Sequence, residues 1–175
     1  MITQAIVGYD DSMKKGKDGI YCKYVKGTLA RILAIIGLIL FCWLYGIIAI
    51  LIKIDDPKGP VIFKQQRIGK GGKVYWIYKF RSMRVGAEHM GSGVYSDNKD
   101  SRVTRIGKFL RATSLDEIPQ LWNIAKGDLV FIGYRSPLTY HPWEWDEYTE
   151  EQRRMFDIKP GITGWTQVNG RKTVE

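Results

Sequence analysis

Residues 32–52 read "ILAIIGLILFCWLYGIIAILI", 21 positions without a charged side chain in a chain of 175. At ~1.5 Å per residue such a helix would be about 31 Å long, close to the hydrocarbon thickness of a bilayer. A cleavable signal peptide has a shorter apolar region near the N-terminus and a small-residue cleavage site behind it. Here the stretch begins at position 32 and runs into "KIDDPKGP". A helix buried in a globular core is also apolar all round, but the rest of this chain is small and both flanks are strongly polar. Membrane insertion is the reading that length and apolarity favour. It divides the chain into a polar leader (1–22), a membrane-inserted helix (23–54) and a polar domain (55–175).

The flanks bear on orientation. Lys14, Lys15, Lys17, Lys23, Lys26 and Arg31 precede the apolar stretch, and Lys53, Lys58, Lys64, Arg67 and Lys70 follow it. Basic residues at both ends give a spanning helix no preferred direction. They match a re-entrant hairpin with both ends on the cytoplasmic face, or a short helix against an anionic leaflet. The stretch has no proline, and Gly37 and Gly46 are its only backbone-permissive residues, so no break is evident in it.

The formal charge of +9 raises nucleic acid as a partner. Residues 1–52 hold six basic and three acidic side chains, leaving 21 of the 27 basic and 15 of the 18 acidic residues for 53–175. That modest excess suits anionic lipid or a polyphosphate substrate equally well, and no nucleic-acid motif accompanies it. Nucleic acid is therefore not an expected partner. Cys22 and Cys42 form neither a disulfide framework nor a metal-ligand spacing, which fits a reducing cytoplasmic side.

Beyond a proline-glycine turn, "VIFKQQRIG" and "KVYWIYKFRSM" flank "KGG" and read as a β-hairpin. Alternation puts Val74, Trp76, Tyr78 and Phe80 on one face, with Tyr75, Ile77, Lys79 and Arg81 on the other. Asp97, Asn98 and Asp100 lack the spacing of a calcium loop and read as a solvated turn. Ile106, Phe109 and Leu110 mark a short basic helix ending near Ala112. A second helix starts near Asp116, with Ser114 and Glu117 in capping-box spacing or Asp116 itself as N-cap, Pro119 in its first turn and Gly127 as its stop. "LVFIGYR" reads as a short buried strand. "HPWEWDEYTEEQRRMFDI" has the acidic start and basic end of a helix, and Trp143, Trp145 and Tyr148 fit either a headgroup layer or core packing.

"RATSLDEIPQLWN", residues 111–123, carries the chemistry. Adjacent carboxylates in a first helical turn are favourable for the dipole alone, so the pair by itself is unremarkable. Nearby arginines and the helix end favour the ionised form, which leaves a carboxylate able to act as nucleophile. The same cations suit phosphate oxygens. Beside a membrane segment, this combination points to phosphoryl chemistry on a membrane-bound acceptor.

The ordered motifs "GPVIFKQQRIG", "YKFRSM", "RVTRIGKFLRATSLDEIPQLWN", "KGDLVFIG" and "PGITGWTQVNGR" resemble the bacterial sugar transferases that act on polyprenyl phosphate, the small monotopic phosphoglycosyl transferases. The resemblance covers roughly residues 24–174. It implies an α+β fold: a membrane-inserted, re-entrant helix, then a small, mainly helical catalytic domain (55–175) with a β-hairpin and interfacial amphipathic helices. It implies transfer of a sugar 1-phosphate from a UDP-sugar to undecaprenyl phosphate, releasing UMP, with Mg2+, as the opening membrane step of capsule, exopolysaccharide or glycan assembly. Asp116 and Glu117 match the family's catalytic pair. Asp116 would attack the β-phosphorus, form a covalent phosphosugar intermediate and contact the metal, with Glu117 assisting. Lys79 and Arg81 of "KFRSM", Arg111 of "FLR" and Arg135 of "GYRS" would bind substrate phosphate. The implied location is the cytoplasmic face of the bacterial inner membrane, with membrane lipid as partner and an exposed membrane helix through which two copies could pair.

The chain departs from the family pattern in several places. Cys42-Trp43 stands where the family has the Ser-Pro that breaks the membrane helix. Tyr134 and Ser136 replace the prolines around Arg135, and "KGTLA" replaces a lysine-arginine pair followed by aspartate. The family also continues past the position of residue 175 with another amphipathic segment. These departures raise an alternative reading, a catalytically weak, membrane-bound interaction protein of the same fold.

Overall fold

The computed structural model describes residues 25–87, 100–164 and Val168. The polar leader, Asp97, Asn98 and most of the closing segment after Gly164 lie outside the described residues.

The apolar stretch forms two helices, α1 (Lys26–Leu40) and α2 (Cys42–Asp55), bent by 62° at Phe41. No single described helix is long and apolar enough to cross a membrane; the bent pair together has that length and composition. The break therefore exists without proline. Phe41 leaves the helical region at φ −97°, ψ 6°, and its carbonyl accepts the N–H groups of Leu44 (2.9 Å) and Tyr45 (3.2 Å). The two halves also pack on different parts of the protein. Ala30 and Ala34 of α1 join Tyr75, Ile77, Ile124, Leu129 and Val130 in one core, while Ile48 and Ile52 of α2 join Phe80 and Leu110 in another. A straight helix would forfeit one of these contacts, and burying a Leu- or Ile-sized side chain is worth about 1.5–3 kcal/mol.

Strands β1 (Ile62–Ile68) and β2 (Val74–Phe80) form the expected hairpin, antiparallel with Ile62 opposite Phe80 and Ile68 opposite Val74. Gly71 and Gly72 turn it at φ 64° and 77°. Tyr75 and Ile77 are buried on one face and Val74 and Trp76 exposed on the other, as alternation requires. Phe80 is buried too, because α2 and α3 cover its face near the end of the strand.

Helix α3 (Arg105–Ala112) is capped twice: Thr104 Oγ1 accepts from Gly107 N (3.0 Å) and Asp55 Oδ2 from Ile106 N (2.9 Å). A 3₁₀ turn, Leu115–Glu117, leads into α4 (Gln120–Lys126), which Gly127 ends in the left-handed conformation at φ 92°. Neither expected cap forms. Ser114 is itself left-handed (φ 57°) with no side-chain cap, and the Glu117 carboxylate is drawn to Lys79 instead. Asn123, fully buried, donates to Trp76 O (2.6 Å) and accepts from Tyr78 N (3.1 Å), so its amide satisfies the edge of β2 that β1 does not.

Strand β3 (Val130–Ile132) pairs in parallel with β4 (Gly161–Thr163). Between them the expected long helix breaks up into a 3₁₀ turn (Trp145–Glu147), α5 (Glu150–Arg153) and a second 3₁₀ turn (Arg154–Asp157). Tyr148 is extended at ψ 129°, and Thr149 then opens a new capping box with Gln152. The aromatic residues of this segment pack as core: Trp145 and Tyr148 lie 5.0 and 5.2 Å from the Phe156 ring, over Ile68. Asp100 does not belong to a solvated turn. It forms a buried ion pair with Arg102 (2.7 Å), which in turn donates to Ala87 O and so joins the two described chain ends.

Candidate active site

Asp116 and Glu117 lie on the 3₁₀ turn between α3 and α4, and three elements hold that turn in place. Tyr45 of α2 donates to Ile118 O (3.0 Å), one residue beyond the pair. Lys79 of β2 reaches Glu117 Oε1 at 2.9 Å. On the other side, α3 delivers Arg111, whose Nε donates to Ser82 Oγ (2.9 Å). Gly107 makes this approach possible, because a Cβ there would lie 1.9 Å from Ser82 O.

The electrostatics of the pair differ from the expectation that helix end and arginines hold it ionised. Burial pushes the Asp116 carboxyl above its ordinary value; Lys79 pulls it back down, Glu117 raises it further and Arg111 lowers it. Desolvation is the largest influence and outweighs the attraction of the cations, because burial disfavours the charged form of a carboxyl. Burial likewise pulls the Lys79 ammonium and the Arg111 guanidinium below their ordinary values, against the opposing attraction of Glu117 and Asp116 respectively.

Arg135 is exposed and lines a small pocket together with Lys79 and Glu117. Its loop is well tied despite lacking flanking prolines. Ser136 Oγ lies 2.6 Å from Tyr75 Oη, Ser136 O accepts from Arg67 (2.8 Å), and Tyr134 packs edge-on against Phe156 at 5.5 Å.

Arg81 stands apart. It is 6% exposed, pairs with Asp56 Oδ2 at 3.0 Å and donates to the carbonyls of Asp56 and Lys58. It does not project beside Lys79, because β2 ends at Phe80 and the Arg81 side chain turns to the segment leaving α2. Its evident work is to clamp that segment. The structure thus gathers Asp116, Glu117, Lys79, Arg111 and Arg135 around one turn and pocket, and uses Arg81 elsewhere.

The pocket adds residues to which sequence reading assigned no role: Arg67, Gln120, Ser136, Gly161 and Ile162. Arg67, Gln120, Gly161 and Ile162 fall within motifs quoted above, but only the fold shows that four separate segments meet. Among the described residues, no group of three or more His, Cys, Asp or Glu side chains is arranged to hold a metal. Mg2+ does not need one, since it is commonly held by one or two carboxylates plus substrate phosphates, and the Asp116–Glu117 pair matches that donor set.

Comparison with known proteins gives a consistent picture. A family model described as "Bacterial sugar transferase" matches residues 21–175. A galactosyl transferase of Streptococcus agalactiae is 39% identical over 166 residues, covering 88% of this chain and 36% of the relative. A UDP-glucose:undecaprenyl-phosphate glucose-1-phosphate transferase of Escherichia coli is 41% identical over 139 residues, 79% of this chain and 28% of the relative. A putative undecaprenyl-phosphate N-acetylgalactosaminyl 1-phosphate transferase of Bacillus subtilis is 48% identical over 102 residues, 58% of this chain and 56% of the relative. The chain thus spans about a third of the length of the first two relatives and just over half of the third.

Proposed function

The chain belongs to the bacterial sugar transferase family, and on that premise we propose that it transfers a sugar 1-phosphate from a UDP-sugar to undecaprenyl phosphate. The observation that carries this reading is the half-buried Asp116 carboxyl, set among Lys79, Glu117 and Arg111 beside a pocket that also holds Arg135. In the first step an Asp116 oxygen attacks the β-phosphorus. The bond from that phosphorus to the bridging oxygen breaks, and UMP leaves with the electron pair. In the second step an oxygen of the lipid phosphate attacks the same phosphorus and displaces Asp116, giving a polyprenyl diphosphate sugar. Lys79, Arg111 and Arg135 stabilise the charge on the phosphoryl oxygens. Glu117 keeps Lys79 positioned and accepts a proton when the lipid phosphate enters. Mg2+, held by Asp116 with Glu117 in support, supplies neutralisation of the diphosphate when bound.

The acceptor calls for a lipid surface, and α1 and α2 suit one. Ile39, Trp43, Ile50 and Ile54 are 67, 62, 62 and 75% exposed. An apolar groove lined by Ile35, Ile39, Trp122 and Ala125 lies between α1 and α4. Apolar exposure on this scale marks a partner surface rather than a face for water. The bent pair enters the cytoplasmic leaflet of the inner membrane as a re-entrant hairpin, its basic flanks on one side. Cysteines placed before α1 and after α2 should then label from the same side; opposite-side labelling would leave a spanning segment.

The deciding assay is UMP release from a panel of UDP-sugars by the detergent-solubilised chain with Mg2+ and undecaprenyl phosphate. Turnover with at least one donor and a phosphosugar trapped on Asp116 are expected. No release from any donor would overturn the reading.

A further inference from the structure

Arg135 is exposed, yet the residue on each side of it is anchored. The Tyr134 ring stands edge-on to Phe156 at 5.5 Å, and the Tyr134 carbonyl accepts from Gly161 N at 3.0 Å. Ser136 is 5% exposed. Its carbonyl accepts from Arg67 Nη1 at 2.8 Å, and the Pro137 carbonyl accepts from Ile68 N at 3.1 Å, so the chain beyond Arg135 is tied to the end of β1. The Ser136 hydroxyl lies 2.6 Å from the Tyr75 hydroxyl in a buried contact between this loop and β2. Prolines at 134 and 136 would fix the backbone torsion φ without any partner. A tyrosine and a serine leave it free until neighbours hold it, and here the neighbours belong to the hairpin and the aromatic core.

From this geometry we infer that the hydrogen bond between Tyr75 and Ser136 is a positioning device for Arg135, setting its guanidinium relative to Lys79 for the phosphoryl oxygens. The inference rests on the function proposed above and concerns how one of its cations is held. Tyr75 and Lys79 share a face of β2, so the strand that presents one cation also fixes the loop that presents the other. An exposed arginine on an untied loop would have to be ordered each time substrate bound, at the expense of transition-state stabilisation. Burial pushes the Tyr75 phenol up to about 12, against the Ser136 hydrogen bond and the nearby Arg67 and Arg135 charges. The phenol therefore stays protonated at neutral pH, and the contact persists there. Tyr75 packs in the core with Ala30, Ala34 and Ile124, away from any reacting atom, which makes it a positioning residue.

The test compares the full chain in detergent with Tyr75→Phe, Ser136→Ala and the double variant, each also combined with Arg135→Ala. Thermal unfolding is measured for all, and steady-state kinetics with a productive UDP-sugar at temperatures well below unfolding. Each single variant leaves one buried hydroxyl unpaired and should lose stability, whereas the double variant removes both hydroxyls and should regain most of it. Turnover should not follow stability. In all three variants kcat should fall roughly ten- to a hundredfold with KM little changed, and none should lower kcat further once Arg135 is replaced by alanine. Recovery of kcat along with stability in the double variant, or losses that add to that of Arg135→Ala, would overturn the inference and leave the pair a purely structural contact. Turnover unchanged by Arg135→Ala would overturn it as well, with the transferase reading intact. If Tyr75→Phe fails to fold, the combination of Ser136→Ala with Arg135→Ala decides by the same non-additivity. A wild-type chain that turns over no UDP-sugar would instead remove the reading beneath the inference, and the inference with it.

Discussion

The ammonium of Lys79 lies 2.9 Å from Oε1 of Glu117, a contact between residues 38 positions apart that joins the hairpin to the 3₁₀ turn carrying Asp116. Both side chains are largely shielded, at 20 and 15% exposure. Beside this pair, the Asp116 carboxyl is raised by burial and by Glu117 and restrained by Lys79 and Arg111.

Replacing Asp116 by Asn should therefore separate activity from stability. Turnover should fall by at least about a thousandfold, as for loss of other catalytic nucleophiles. Stability should move the other way. A carboxyl whose folded-state pKa is raised costs nothing below its unfolded value and costs most above its folded value. The gain in melting temperature for Asp116→Asn should thus appear as pH rises past the ordinary carboxylate range and vanish in strong acid. Thermal unfolding from pH 3 to 8 checks the sign.

The acid limb of kcat/KM should lie above the ordinary aspartate value, because the attacking form is the ionised one. Lys79→Met should move that limb to still higher pH, since Lys79 opposes the burial effect on Asp116. Pre-steady-state UMP release across pH reads this directly. A limb shifted to lower pH by Lys79→Met would contradict the arrangement.

Arg81 should behave as a structural clamp. Arg81→Ala leaves Asp56 and two carbonyls without their partner and should cost about 3 kcal/mol of stability. Because the pair is shielded from solvent, added salt should change this loss little. Chemical denaturation of the variant in detergent measures it, and a cycle with Asp56→Ala isolates the pair.

Gly107 tests how α3 carries Arg111. A methyl group there meets the backbone of Ser82 rather than a yielding side chain, so Gly107→Ala should cost about 3 kcal/mol or more. Activity should fall even at temperatures where the variant stays folded, because Arg111 moves with its helix.

Much of this was readable from local pattern. The hairpin follows from β-branched and aromatic residues around "KGG", the short basic helix from Ile106, Phe109 and Leu110, and the end of α4 from Gly127. The dyad and the cations that attend it could be named from their motifs. The bend at Phe41 could not. Without proline or a paired break signal, it arises where two halves of one apolar run meet different cores. The same limit applies to Arg81, which shares a motif and an alternation face with Lys79 yet turns to Asp56.

What the linear order determined by itself were the short-range matters: where backbone propensity, spacing and charge place strands, turns, helix ends and reactive groups. What only the tertiary structure decided was how far each charge is withdrawn from water and which partner it meets there. Desolvation depends on neighbours brought in from distant segments, so the raised Asp116 carboxyl, the Lys79–Glu117 contact and the Arg81–Asp56 clamp exist only once the hairpin, the bent helices and the Asp116–Glu117 turn have packed together.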